Sequence, residues 1–359
     1  MIQITRVASY SAALLAALLI TGGAVAEDDG VTAEDDGAVA NNDVITTDTH
    51  RLQKVADGVY LAQSTARIFN SHALIIINES DVTVIDSHIT PTKARGLIAS
   101  IKQLTSNPIT TLINSHFHYD HSHGNQAFGP DVQIIGHEYT RMKMAGKPLE
   151  EGTFMRGKAG NIARLTRLQQ ELDTTEDAER REEIAAQAKM LAAHVEAWNE
   201  IDPVAPSVTL NDRLTLFRGS REIQLHFMGR AHTGGDLVVY LPADKLAFTG
   251  DMMLQGPSWL GDGYVDEWVQ TLENLKGLDF TLMVPGHGSP FTDRKVIDYV
   301  QAYYEDLWDQ VAKMHKDGTS VADAAKAVDL TSHTNLRITR VGTDPLAVAR
   351  IYQRLEGAD

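Results

Sequence analysis

The stretch His116-Phe117-His118-Tyr119-Asp120-His121 sets three histidines and an aspartate within six residues. Neutral imidazoles and carboxylates are the ligands zinc accepts in a chain without thiols, and this chain has no cysteine. Packing them in one loop lets alternate side chains turn toward two neighbouring metals. Buried without a metal, the same groups would leave polar atoms unsatisfied, at roughly 1–3 kcal/mol each. The motif therefore points to a metal centre at a loop.

Four further residues complete such a centre, in chain order. Asp86 ends Val84-Ile85-Asp86-Ser87, and His232 sits in Gly229-Arg230-Ala231-His232-Thr233-Gly234-Gly235-Asp236. Asp251 ends Phe248-Thr249-Gly250-Asp251, and His287 lies in Val284-Pro285-Gly286-His287-Gly288. Each follows a predicted strand, and loops at the carboxyl ends of strands in α/β sheets converge on ligands. A single glycine-flanked His or Asp is more often a turn residue. As an ordered set beside the motif, they read as a two-metal site.

The surrounding pattern alternates strands and helices. Short β-branched runs fall at Gly58–Leu61, Ala73–Ile77, Val82–Ile85, Ile109–Ile113 and Val132–Ile135, and again at Leu214–Phe217, Glu222–Phe227, Leu237–Leu241 and Leu246–Phe248. A helix is predicted over Pro91–Leu104, capped by Thr90 with Pro91 at its first position. Further helices are predicted at Val265–Leu275, Asp293–His315, Val321–Val328 and Pro345–Leu355. Between about 150 and 201, Ile162, Leu165 and Leu172 suit one helix, and Ile184, Ala188, Leu191, Val195 and Trp198 a second. Asp173 to Thr175 read as the turn and cap of this inserted hairpin, which either packs on the core or covers the site. Two such blocks suggest an α/β protein with two mixed sheets face to face and helices outside.

Composition bounds the rest. The 359 residues, 43% hydrophobic, suffice for one large domain. Arg6, the apolar run Ala8–Ile20 and Ala24-Val25-Ala26 read as a secretory signal peptide over 1–26, too short to span a bilayer. Residues 27–50, acidic and with AEDDG occurring twice, read as a disordered tether, leaving 51–359 as the globular domain. The expected location is outside the cytoplasm, periplasmic or extracellular, with no stable membrane insertion once the leader is removed. The formal charge of −16 repels phosphate backbones, so no nucleic acid is expected as partner. A small-molecule substrate is expected, and nothing in the sequence sets an oligomeric state.

The ordered set of ligands resembles the metallo-β-lactamase superfamily over roughly Val55 to Ser289. The resemblance implies a four-layer αββα sandwich, with the helical hairpin and C-terminal helices from about 292 to 359 lying outside the shared motifs. It assigns His116, His118 and His232 to a first metal and Asp120, His121 and His287 to a second. Asp251 would bridge them, and Asp86 would orient a ligand histidine. Two Zn2+ are implied, with iron and manganese left open. A hydroxide between the metals would attack the substrate, and Asp120 would orient it and relay its proton, as the catalytic carboxylate. Tyr119, Trp259 and Tyr264 stand near enough in sequence to line a substrate pocket, with core packing equally open.

Fold does not fix substrate. Opening of a cyclic amide or ester is expected, with β-lactams first, since export suits a β-lactamase. Lactonase and glyoxalase II-like thioesterase activity are the alternatives. Familiar secreted metallo-β-lactamases carry Cys where this chain has Asp251, and Arg where it has His121. In addition, Met252–Tyr264 contains no Lys or Arg for a β-lactam carboxylate. Asp251 with the Asp120-His121 pair is closer to glyoxalase II and the lactonases. A metal-binding or sensing protein is the non-enzymatic alternative, opposed by the complete ligand set.

Overall fold

A computed structural model describes residues 43–358 apart from 67 and 69. The expected leader at 1–26 and most of the acidic tether lie outside the described residues. The end of that tether corrects the sequence reading. Val44–Thr46 forms an edge strand, β1, against β2 (His50–Ala56), and His50 is fully buried. The acidic surroundings masked a Val-Ile-Thr run suited to a pleated edge.

From β2 the chain meanders through β3 (Val59–Ser64), β4 (Ala73–Ile77) and β5 (Val82–Ile85), all antiparallel neighbours. Helix α1 (Pro91–Leu104) then crosses over to β6 (Ile109–Ile113), parallel to β5. Thr90 caps α1 by accepting from Lys93 N, and Pro91 opens it, as expected. After a single helical turn, α2 (Tyr119–Ser122), come β7 (Gln133–His137) and α3 (Glu138–Ala145). The hairpin of α4 (Gly152–Thr174) and α5 (Ala178–Ala197) follows, and β8 (Val208–Leu210) closes an eight-stranded sheet in the order β1 to β8.

The second sheet contains β9 (Arg213–Arg218), β10 (Arg221–Phe227), β11 (Leu237–Leu241), β12 (Leu246–Gly250) and, beyond α6 (Val265–Leu275), β13 (Leu282–Pro285). Its order is β13-β12-β11-β10-β9, and β13 lies parallel to β12. Helices α7 (Lys295–Lys316), α8 (Val321–Ala327) and α9 (Pro345–Leu355) complete the chain. Among the described residues, no helix is long and apolar enough to cross a membrane.

Three apolar layers account for the expected sandwich. Leu61, Leu74, Ile85 and Ile113 of the first sheet meet Leu225, Val239, Phe248 and Val284 of the second in the central core. Ala62, Ile75 and Val84 face the other way, against Ala94, Leu97 and Ile101 of α1. Val238, Ala247 and Met283 face α6 to α9 through Trp268, Tyr304 and Ile351. Each fully buried aliphatic or aromatic side chain contributes about 1.5–3 kcal/mol, so these layers hold the fold without disulfides.

The inserted hairpin packs largely on itself, through Leu168, Ile184, Ala188 and Leu191. Two expectations change here. Helix α4 continues through Thr174, so the helices are separated by Thr175–Asp177, and Asp177 caps α5 by accepting from Arg180 N. Ile162 is 45% exposed and leaves the apolar stripe. A second cluster, Phe154, Trp198, Ile201 and Ile89 with Tyr119, pins the hairpin to the motif loop.

Candidate metal centre

Strand direction brings the ligands together. β10 and β12 are both antiparallel to β11 and β13 is parallel to β12, so three strands of one sheet end at the same side. His232, Asp251 and His287 follow those ends, while Asp86 and the motif follow the parallel strands β5 and β6. The turn α2, stitched by Ser122 Oγ donating to the carbonyls of Phe117 and His118, reverses the chain between His118 and His121.

The resulting geometry forms three overlapping groups. His116, His118 and His232 offer nitrogens within 4.8 Å of one another, as do the ligand atoms of His116, His121 and Asp251, and of Asp120, His121 and His287. His232 Nε2 and His118 Nδ1 face each other at 2.9 Å. His287 Nε2 lies 3.0 Å from Asp120 Oδ2 and 3.5 Å from Asp251 Oδ2. All seven expected ligands are thus assembled in one place.

A metal fits this arrangement on an observation of the chain itself. His116 Nε2, His121 Nε2 and Asp251 Oδ1 are buried without a well-formed hydrogen bond, the last two 3.3 Å apart as an ion pair, and all three point into the same cluster. Buried polar atoms are otherwise nearly always satisfied, so three converging orphans call for a cation.

The outer ring nitrogens are tied down, which fixes the tautomers. His121 Nδ1 donates to Asp86 Oδ2 at 2.8 Å, and His118 Nε2 donates to Asp262 Oδ2 at 3.0 Å. His116 Nδ1 reaches Ser115 Oγ at 3.0 Å, and His232 Nδ1 reaches Ser258 Oγ at 3.3 Å. The inner nitrogens then carry lone pairs toward the cluster, the arrangement that orients metal-bound imidazoles. Asp86 also accepts from Ser115 N at 2.8 Å and Ser115 Oγ at 2.7 Å, and holds a positive φ of 62° to do so. The ligand histidine it touches is His121. Asp262 and Ser115 escaped the sequence reading. Asp262 carried a usable signal, a glycine on either side in Gly261-Asp262-Gly263, whereas Ser115 carried none.

Two glycines are required by this packing. Gly250 has φ +52° and lies against Ser115, whose Oγ would be 2.8 Å from an added Cβ. At Gly286 a Cβ would sit 2.3 Å from Asp251 Oδ1 and 2.8 Å from His121 Cε1.

Charge divides the centre in two. Burial, with the neighbouring His121 and His118, holds His116 well below its ordinary pKa; burial and His118 bring His232 to about 3. These rings are neutral and ready to donate lone pairs. At the other position burial is overridden: Asp120, Asp251 and Asp86 hold His121 well above its usual value, and Asp251 and Asp120 lift His287 to about 9. Despite burial, His121 and His287 keep Asp120 and Asp251 ionised far below the usual carboxylate range. That half of the site demands positive charge, from protons or from a metal.

The expected pocket residues divide. Trp259 is partly exposed and lies edge-on to His118 and His232, with centroids 5.6 and 6.3 Å away, as a substrate wall requires. Tyr264 is corrected: it is 2% exposed, and Arg230, Arg350 and Arg354 stack over its ring at 4.3–4.9 Å. It is a core residue. Tyr119 packs on Trp198 and Phe154, so its place is beneath the hairpin. His72 and His88, adjacent to the site, are buried in hydrogen bonds to Gln63 and Pro285 and to Asn70 and His50.

Comparison with other proteins agrees with this geometry. A linear primary-alkylsulfatase from Pseudomonas sp. (strain ATCC 19151) is 24% identical over 75% of this chain and 53% of its own length. The 2,4-dinitroanisole O-demethylase subunit alpha from Nocardioides sp. (strain JS1661) is 23% identical over 73% of this chain and 61% of its own. The chain therefore spans little more than half the length of these two relatives. A metallo-beta-lactamase type 2 from Elizabethkingia meningoseptica is 30% identical, but over 27% of this chain and 34% of its own. Among solved structures, an inverting sec-alkylsulfatase from Pseudomonas sp. shares the fold, with TM-score 0.62 and 16% identity over 85% of this chain and 50% of that one. The profile of the metallo-beta-lactamase superfamily matches residues 66–287, more than half of the chain and all seven of the expected ligands. With that match added to the assembled ligands, the chain belongs to the metallo-beta-lactamase superfamily.

Proposed function

We propose that this chain is a hydrolase that holds two zinc ions and cleaves a bond to an oxygen leaving group, with an organic sulfate ester as the first substrate class. The convergence of His116 Nε2, His121 Nε2 and Asp251 Oδ1 as buried atoms without a hydrogen bond carries the metal centre. His116, His118 and His232 would hold one ion; Asp120, His121 and His287 the other, with Asp251 between. All seven are N or O donors, which zinc accepts. Such a pair supplies Lewis acidity and a water acidic enough to ionise near neutral pH.

The chain's own groups do the rest. Asp120, kept ionised by His121 and His287, presents a carboxylate able to accept a hydrogen bond from the attacking water and orient it. Asp86, Asp262, Ser115 and Ser258 keep the imidazoles in the ligating tautomer. Trp259 offers an apolar face beside His118.

The choice of leaving atom is supported by the extent of the relatives' match. The two that align over about three quarters of this chain are named for removing a group from oxygen, as sulfatase and O-demethylase. The β-lactam reading becomes second, because its relative aligns over about a quarter of the chain. The test is the zinc-loaded protein assayed in parallel on octyl sulfate, a cephalosporin, an acyl lactone and a glutathione thioester. Sulfate release with little turnover of the others supports the proposal. Cephalosporin or lactone opening without sulfate release overturns it.

A further inference from the structure

We propose that Arg156, carried by the inserted hairpin, is the cation that recognises an anionic group of the substrate, with Trp259 as the apolar wall beside it. The inference rests on the hydrolase reading above and names the substrate class as organic anions.

In the loop that carries His232 the cation, Arg230, is bound to Glu267, Nε to Oε2 at 2.9 Å. Met252–Tyr264, beside His118 and His232, contains no Lys or Arg. The site's immediate surroundings are acidic, with Asp86, Asp120, Asp251 and Asp262 all contacting ligand histidines. The hairpin makes good this lack. The Arg156 guanidinium lies 5.2 Å from the Trp259 ring centroid, and that ring is edge-on to His118 at 5.6 Å. Arg156 thus stands one indole away from the first group of metal ligands, exposed at the surface.

Lys143, which stands over Phe117, is paired with Glu151 at 3.1 Å. Among the described residues, no carboxylate lies within ion-pair distance of Arg156, although the chain carries 48 acidic residues against 32 Lys and Arg. Lys158, Arg164 and Arg167 of α4 also have no ion pair among the described residues, and what sets Arg156 apart is its place over Trp259. A guanidinium left without a carboxylate in so acidic a chain, stacked on a ring at the mouth of a metal centre, is placed for a ligand anion.

The helix beneath it is fixed rather than loose. Phe154, two residues before Arg156, is 4% exposed in the cluster with Ile89, Trp198 and Ile201. On the other side, a Cβ at Gly157 would lie 2.5 Å from Tyr119 Oη and 3.2 Å from Trp198, so glycine lets α4 sit directly on the residue preceding Asp120. The same contact that anchors the hairpin therefore sets where Arg156 stands relative to the ligands. This makes the insertion part of the substrate site.

The experiment measures binding apart from turnover. Octanesulfonate, which cannot be hydrolysed as an ester, is titrated into the zinc-loaded protein and its R156A and R156K variants by calorimetry, with octanol as the neutral control. Zinc content and Tm confirm that each variant is folded and loaded. R156A is expected to weaken octanesulfonate about tenfold or more, the loss of one charge-assisted pair, while R156K loses less and octanol affinity changes little. In turnover of octyl sulfate the same loss should appear in KM rather than kcat. Equal octanesulfonate affinity in wild type and R156A, or no binding to wild type, overturns the inference. Arg156-dependent binding without octyl sulfate hydrolysis leaves the anion site standing and removes the sulfatase reading. Hydrolysis insensitive to Arg156 does the reverse.

Discussion

The Asp86→Asn substitution tests how the centre keeps its ligands in the right tautomer. Three donors converge on the Asp86 carboxylate: Ser115 N at 2.8 Å on Oδ1, and Ser115 Oγ at 2.7 Å and His121 Nδ1 at 2.8 Å on Oδ2. An ionised carboxylate, which only accepts, satisfies all three. An amide cannot. With its NH2 group at the Oδ2 position, it turns His121 Nδ1 into an acceptor and moves the imidazole proton to Nε2. That nitrogen lies 3.3 Å from both Asp120 and Asp251 and is the one needed for a metal. With the NH2 at the Oδ1 position, it opposes the Ser115 N–H. Either way one charge-assisted bond is lost, worth roughly 1.5–3 kcal/mol, or about 10- to 100-fold in affinity for the second metal. Competition against a chromophoric chelator reads this directly, with a Tm of metal-free protein as the control for folding. Binding of a second zinc within twofold of wild type would refute the tautomer argument.

Other consequences follow from the packing. Gly286→Ala places a methyl group 2.3 Å from Asp251 Oδ1, so the bridging carboxylate must shift; second-metal affinity should fall at least tenfold, and a variant that still binds two zinc ions as tightly would contradict the close approach. His194 accepts from Trp198 Nε1 at 3.0 Å, and burial, with the Lys93 charge, lowers its pKa from 6.5 to about 4. The folded state therefore binds fewer protons than the unfolded one between those values, and stability contributed by the neutral ring is lost as pH falls through that window. His194→Gln, which keeps an acceptor without titrating, should lose about 2 kcal/mol less than wild type between pH 7 and 4.5 in urea unfolding of metal-free protein; equal losses would remove His194 from the acid response.

Much of this was legible because it was local. Thr90 and Pro91 mark the start of α1, and the β-branched runs at 73–77, 82–85 and 109–113 became strands with those limits. The seven ligands could be read because each followed a strand end, often beside glycine. What the sequence hid depended on distant partners. Ser115 gains its meaning from Asp86, which is 29 residues away, and Tyr264 was open between pocket wall and core until Arg230 and two guanidinium groups of α9 covered it. Strand β1 was lost among acidic residues, and α3 buries only Thr140 and Met144, too little to leave a helical stripe. Arg156 was one cation among many on an exposed helix until the fold set it over Trp259.

If the seven assembled residues hold two metals that hydrolysis requires, removing and returning zinc must switch turnover off and on. Chelator-stripped protein titrated with zinc, with octyl sulfate, cephalosporin and lactone hydrolysis followed at each addition, tests it most directly. Turnover is expected to be absent without metal and to recover to a plateau at two equivalents per chain, a recovery abolished in His118→Ala. Turnover that survives stripping, or that is complete at one equivalent, would contradict it.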